Sequence, residues 1–366
     1  MEAKLYLEYK ELRKKGLKVK GWWFRLRAKQ ILTELEPSTN FQFSNGWFLG
    51  FKKRHRISIR RATNTCQKEP EDKRSAVQHF HRNIRRKAAE GEQIGPLGQW
   101  TPRQVANMDQ TPLPFSFCDG ETYTDTGEQT VWVRGGGSGL DKRQCTVQLT
   151  LFADGEQRVK PLLIFRGKGK RISFAEQLKY DRRVVVRFQP NAWCDEDIMR
   201  FWIKNCWKPS CFGPMHLVLD IHWAQKTQEI QDVLEAECNT SITYVPGGCT
   251  SLVQPVDVSF NKPFKSAVER QATQHMQENL DSYVHGQINA SARRVLFTKW
   301  VGQAWEEVSA DKELIVRSFK KCGISVPIDG SEDEQIHIQG LEEYAVEEED
   351  DDYTDGDPFS DIEESD

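Results

Sequence analysis

Three aspartates stand where carboxylates can do chemistry. Asp109 follows the apolar run Val105-Ala106-Asn107-Met108 and opens into Gln110-Thr111-Pro112. Asp220 follows Leu217-Val218-Leu219, and Asp257 comes 37 residues later, in Gln254-Pro255-Val256-Asp257-Val258. A short apolar run that ends on an acid reads as a buried strand delivering a carboxylate to the edge of a sheet. Acids gathered at one edge offer hard oxygen ligands, which suit Mg²⁺ or Mn²⁺ rather than zinc. Two such ions, about 3.5–4 Å apart, activate a water or a 3′-hydroxyl and stabilise the leaving oxygen of a phosphodiester. Any one of the three is better explained as a strand or turn cap; only their order along the chain favours a shared site. His222, two residues past the second acid, is an accessory candidate for bound water or DNA, set against a structural role.

The elements between the acids must bring them together. Alternation and apolar runs predict strands at 105–108, 131–133, 144–152, 159–165, 215–219 and 241–245. The turn Asp154-Gly155 makes a hairpin of the third and fourth. Helical spacing predicts helices at 195–207, 226–238, 260–277, 292–308 and 312–320. That order gives an α/β class, a mixed sheet with flanking helices over residues 105–326, with Asp109 and Asp220 at strand ends and Asp257 after a turn.

Charge divides the chain differently. Residues 1–104 carry 24 Lys/Arg against 10 Asp/Glu, whereas residues 331–366 carry 17 acids and no Lys or Arg. A basic head favours a polyanion partner such as nucleic acid. Within residues 1–61, helical spacing predicts helices at 3–15 and 22–35 and a third starting near Ser44 as N-cap. Trp47, Phe48 and Phe51 fall on the inner face of that third helix. Ser44, Asn45, Lys52, Lys53, Arg54 and Arg56, with Arg60 and Arg61 beyond, are the DNA-contact candidates. The run from Lys52 to Arg61 also suits a nuclear import signal. Residues 62–104 read as a basic connector with one helix at 71–89, and residues 327–366 as an acidic disordered tail. Two further basic loops, Gly135 to Arg143 and Gly167 to Arg171, are candidates for the DNA backbone.

Several segments together resemble the pogo/Tigger branch of the DDE transposases, whose relatives include centromere protein B and the jerky-type proteins. They are 107–112, 217–227 (LVLDIHWAQKT), 251–265 (SLVQPVDVSFNKPFK) and 318–325 (SFKKCGIS), with 41–58 (FQFSNGWFLGFKKRHRIS) similar to the second helix-turn-helix of the centromere-protein-B-type region. The resemblance implies a ribonuclease-H-like catalytic domain preceded by an all-α helix-turn-helix domain. It implies that Asp109, Asp220 and Asp257 are the catalytic, metal-binding acids, with Mg²⁺ or Mn²⁺ as cofactor, two ions in all. It also implies double-stranded DNA as partner, a homodimer on DNA and a nuclear location. Gln110 stands where the family commonly has Glu. The family's DNA-binding region usually has two helix-turn-helix units, and the match here is to the second.

Three readings follow: an active cut-and-paste enzyme, a domesticated and catalytically silent DNA-binding regulator of chromatin, and an unrelated metal-dependent nuclease. No apolar run approaches the roughly 20 residues of a membrane span. The nine cysteines form no C-x-x-C pair, which predicts reduced thiols. Neither a membrane partner nor a small-molecule cofactor is expected.

Overall fold

A computed structural model describes residues 1–14, 17, 19–38, 41–59, 71–114, 144–220, 228–279 and 288–347. The chain divides into two compact units, Met1–Lys73 and Arg74–Asp366.

The first unit holds the three helices that the spacing predicts: α1 (Glu2–Lys14), α2 (Gly21–Leu35) and α3 (Asn45–Arg54). Leu5, Phe24, Ala28, Ile31 and Phe51 close a small core between them. The Phe24 ring lies 5.1 Å from Tyr9, 5.4 Å from Phe48 and 5.6 Å from Phe51, centroid to centroid. Trp47 and Phe48 pack against that core, as expected from their spacing. So small a core leaves ion pairs to help fix the helices, and Arg27 of α2 forms a double hydrogen bond with Glu8 of α1.

The second unit is built on a six-stranded sheet of order β4-β3-β2-β1-β5-β6. Its strands are β1 (Val105–Pro114), β2 (Gln144–Phe152), β3 (Leu162–Arg166), β4 (Val185–Gln189), β5 (Met215–Asp220) and β6 (Thr240–Val245). Both β1–β2 and β2–β3 are antiparallel, while β1–β5, β5–β6 and β3–β4 are parallel. All but β2 therefore run the same way, and their C-terminal ends share one edge. The antiparallel hairpins followed by parallel additions give the ribonuclease-H-like mixed sheet.

Alternation sorts the strand residues onto two faces. Ala106, Met108, Leu162, Ile164, Leu217 and Leu219 face a layer made by α6 (Glu196–Trp202), the π-helical stretch Ile203–Trp207 that continues it, and α7 (Gln228–Cys238). Val105, Leu149, Leu163 and Val218 face the larger core. That core is supplied by α4 (Arg74–Ala89), α9 (Asn261–Glu278), α10 (Ala290–Ser309) and α11 (Lys312–Lys321); the short helices α5 (Phe174–Gln177) and α8 (Thr250–Val253) complete the set.

Four expectations need correction. β1 does not stop at the acid: antiparallel pairing with β2 carries it from Ala106 to Pro114, so Asp109 lies mid-strand. The helix predicted from 260 begins earlier, since a π-helical turn, Val256–Phe260, carries Asp257 and runs into α9. The helix at 71–89 is present, but it is no connector. It inserts Val77, Phe80, Ile84 and Ala88 into the core of the second unit. Nor is all of 327–366 a tail, since Ile336, Ile338, Leu341 and Tyr344 are buried in the same core. Acidic composition hid an apolar spacing that packs on α4. The edge strand β4 was not anticipated, and the strand predicted at 131–133 lies outside the described residues.

His81 shows how tightly that C-terminal segment is held. It is fully buried on α4, with Nδ1 2.6 Å from the Tyr344 hydroxyl and Nε2 2.9 Å from the Cys322 carbonyl. A carbonyl only accepts, so Nε2 carries the proton and Tyr344 donates to Nδ1. Burial pushes the imidazole pKa down to about 4, which keeps it neutral.

Tyr344→Phe leaves Nδ1 without its donor and should lower stability by about 1–3 kcal/mol in urea denaturation. Ending the chain at Pro327 strips four buried apolar side chains, each worth about 1.5–3 kcal/mol. That is comparable to the whole stability of a domain, so no cooperative transition should remain. A shortened chain that melts like the full one would return the segment to the status of a tail.

Candidate active site and nucleic-acid interface

Strand register explains how two acids far apart in sequence meet. β1 and β5 pair in parallel with Ala106 opposite Leu217 and Asn107 opposite Val218. Carried on by two residues, that register sets Asp109 beside Asp220, one strand spacing apart, about 4.8 Å. Both share the parity of Val105 and Val218 and so face the larger core. There Val256 and Phe260 anchor the helical turn that carries Asp257.

The electrostatics record the convergence. Asp109 is 8% exposed. Burial first, then the negative charges of Asp257 and Asp220, push its carboxyl up to about 7. Asp257 is more exposed, yet partial desolvation raises its carboxyl as well. Asn261, one turn on, donates to Asp257 Oδ1 at 2.7 Å. Lys265, a further turn along the same face, is drawn down by burial and held up by the charges of Asp257 and Asp109. Among the described residues, no three His, Cys, Asp or Glu side chains are grouped closely enough to hold one metal ion. The three acids thus share a pocket without forming a finished coordination sphere.

Sequence reasoning missed the residue that ties them together. Asn107 is fully buried. Its Nδ2 donates to the Val218 carbonyl at 3.1 Å, and its Oδ1 accepts from the Val256 backbone N–H at 3.1 Å. Asn107 stands two residues before Asp109, Val218 two before Asp220, and Val256 one before Asp257. A single amide therefore bonds the backbone beside the second and third acids from the strand that carries the first. The signal available in sequence was a polar residue inside an apolar run. Gln254 is also fully buried beside Asp109. It lies near enough to lower the carboxyl pKa, yet its amide atoms lack a hydrogen bond of good geometry. His222 lies outside the described residues.

In the first unit, the Ser44 hydroxyl caps α3, accepting from the Trp47 N–H at 3.2 Å. Asn45 Oδ1 accepts from Arg25 at 2.5 Å. Arg54 is held by Glu2, through Nη2–Oε1 at 2.5 Å and Nε–Oε2 at 3.1 Å, so its charge is spoken for within the fold. Lys52 lies over the Phe48 ring, 5.1 Å from its centroid. Lys53 and Arg56 are exposed, and Lys53 shares an open helical face with Asn45, Gly46 and Leu49. Arg56 takes a left-handed backbone (φ 51°) where α3 ends. Arg60 and Arg61 are outside the described residues.

Residues 1–61 match the family described as Tc5 transposase DNA-binding domain. Residues 142–319 match the DDE superfamily endonuclease family, a span that includes Asp220 and Asp257 and stops short of Asp109. The human protein "Pogo transposable element with KRAB domain" is 28% identical over 337 residues, covering 90% of this chain and 51% of that protein. The mouse Jerky protein is 27% identical over 277 residues, covering 72% and 45%. The chain spans about half the length of the curated relatives it matches. Among solved structures, a Mos1 transposase paired-end complex with the left transposon end aligns with 85% of this chain and 78% of its own, at 12% identity and a TM-score of 0.39.

Two measurements separate these roles. The folded-state pKa of Asp109 lies above its ordinary 3.8, so the carboxyl favours folding at low pH and loses that contribution as pH rises through 7. In EDTA, Asp109→Asn should therefore raise stability by about 2–4 kcal/mol at pH 8 and by less at pH 5; equal stability at both pH values would deny the carboxyl its buried setting. Lys53→Ala should weaken duplex binding and lower its salt slope by about one. Arg54→Ala should instead cost stability, up to about 1 kcal/mol in thermal melts, with a smaller change in slope.

Proposed function

We propose that this chain, which belongs to the pogo/Tigger-type family of DDE transposases, is a DNA-binding endonuclease that cleaves and transfers DNA strands at transposon ends. The observation that carries this reading is the β1–β5 register, which sets Asp109 beside Asp220 with Asp257 on the adjoining turn, where burial and then the charges of Asp257 and Asp220 raise the Asp109 carboxyl to about 7. Three carboxylates whose hard oxygens run from buried Asp109 through half-buried Asp220 to exposed Asp257 fit Mg²⁺ or Mn²⁺ that enters from solvent. Asp109, Asp220 and Asp257 would hold such ions, two in number, once the carboxylates draw in around them, and the ions would supply Lewis acidity to the scissile phosphate and a more nucleophilic water or 3′-hydroxyl.

The residues around the acids prepare the site. Asn107 keeps the backbones carrying Asp220 and Asp257 in register with β1. Asn261 occupies Oδ1 of Asp257 and fixes that carboxylate's rotation. Lys265 adds fixed positive charge against the acids, which limits their repulsion when all are ionised. The low exposure of Asp109 excludes bulk water from its side of the pocket and strengthens each of these interactions.

Duplex DNA is the proposed partner, engaged through Lys53, Arg56 and the open face of α3. A homodimer on DNA and a nuclear location complete the proposal, the latter supported by the basic run that starts at Lys52. Three acids kept in this setting favour catalysis over a silent regulator.

The test is strand nicking of a labelled duplex carrying the terminal repeats of the parent element, with Mg²⁺ or Mn²⁺. Wild type should nick, chelation by EDTA should stop it, and Asp220→Asn should fall to the metal-free level while still binding DNA. Tight binding without nicking, unchanged by the substitution, would leave a DNA-binding protein and sink the enzyme.

A further inference from the structure

We infer that the β3–β4 margin of the sheet is a second polyanion site, one that holds the phosphodiester backbone of duplex DNA as it leaves the acidic pocket. The inference deepens the function proposed above and rests on it for the identity of the polymer. The loop after β3 reads Arg166-Gly167-Lys168-Gly169-Lys170-Arg171, four cations in six residues. Arg187 of β4 lies beside it. Together with Lys168, Lys170, Gln177, Tyr180 and Phe188 it lines an open cavity of about 530 Å³.

The loop is built, not loose. The Gly167 N–H bonds the Gln189 carbonyl at the end of β4 at 2.9 Å, and Ile172 N–H returns to the Gly169 carbonyl at 3.3 Å. Gly169 has a left-handed backbone (φ +69°), and a Cβ there would come within 3.2 Å of the Phe188 ring. The glycines therefore let a run of cations lie flat against the strand.

Those cations have no acid of their own among the described residues. No ion pair involves Arg166, Lys168, Lys170, Arg171 or Arg187, although ion pairs are common elsewhere in this unit. The first two acids that follow the loop in sequence are committed elsewhere: Glu176 is clasped by Arg294, and Asp181 by Arg183. Arg187 stacks on the Phe201 ring at 3.3 Å, on the α6 face of the sheet rather than the face of Val186 and Phe188, so its guanidinium stands apart from the cations of the loop. Concentrated and uncompensated positive charge repels itself, and a polyanion relieves it.

Position supplies the polymer. β3 and β4 end on the same edge as β5, whose last residue is Asp220. Arg166 is level with Pro114 through β2. It thus lies two strands across from Asp109, about 10 Å, and five residues further along, about 17 Å. A distance of roughly 20 Å is some six base-pair steps of B-form duplex, within one turn. A duplex seated at the acids and running along this edge reaches the loop with its backbone.

The test is equilibrium binding of the full chain to duplex DNA across a salt series. The variant Lys168→Ala/Lys170→Ala/Arg171→Ala changes exposed side chains only, and circular dichroism checks its fold. Its slope of log K against log salt should fall by about two to three, and its affinity by about 10–100-fold at 0.1 M salt. A control of equal charge loss, Lys204→Ala/Arg317→Ala/Lys321→Ala, should keep the wild-type slope, as should Lys168→Arg/Lys170→Arg. A loop variant with the wild-type slope, or a control that loses as much, overturns the site. Loss of binding to single-stranded RNA with duplex binding intact overturns the assignment to duplex DNA. A reduced slope in a protein that never nicks leaves this site standing and removes the proposed enzyme; full nicking with an unchanged slope does the reverse.

Discussion

The amide of Asn107 is the interaction on which the site depends. Three carboxylates brought together repel one another, and the buried one, Asp109, has lost most of its water as well. What keeps them together must be structure that cannot yield locally. Asn107 is buried among apolar neighbours, so both of its bonds are expensive to leave unmade. One fixes β5 and the other the turn before α9. Loosening either partner costs the fold a buried unsatisfied group, and that cost holds the acids in place.

The rest of the second unit supports Asp109 from behind. Five parallel-running strands bring their C-terminal ends to one edge. The larger core behind Asp109 is filled by side chains from α4, α9, α10 and α11. The segment through Tyr344 then locks α4 through His81. The buried imidazole stays neutral, so this lock adds no charge to the interior. Stability is thereby drawn from apolar packing and spent at a carboxylate cluster that opposes folding whenever its acids ionise. Charge on the exterior is handled differently. In the first unit Arg54 is neutralised by Glu2 and serves the fold, while Lys53 and Arg56 remain open to a partner.

Much of this was legible in the residues themselves. Helical spacing gave α1, α2 and α3 nearly to the residue, and the Ser44 cap with them. Alternation and short apolar runs located β2, β5 and β6, because each strand sends at least every second side chain into a core. What failed, failed for physical reasons. β4 is a five-residue, half-buried edge strand with Arg187 in its middle, too short and too mixed to alternate. The helix at 71–89 looked like a connector because its charged face dominates its composition, whereas its fate was decided by Val77, Phe80, Ile84 and Ala88. The acids after 327 masked Ile336, Ile338, Leu341 and Tyr344 in the same way.

The sequence by itself determined which chemistry was available. Three aspartates in their local strings, a cationic third helix and a glycine-spaced basic loop are covalent facts, fixed before any folding. Only the tertiary structure decided which groups act together. The β1–β5 register set Asp109 beside Asp220, and the turn before α9 brought Asp257 against them. The pKa shifts of Asp109 and Asp257, the bridging amide of Asn107, the pairing of Arg54 with Glu2 and the lack of an acid partner for Lys168 and Lys170 among the described residues all depend on distance across the fold. Electrostatic and hydrogen-bond energies are set by separation and burial, and neither is encoded at any single position of the chain.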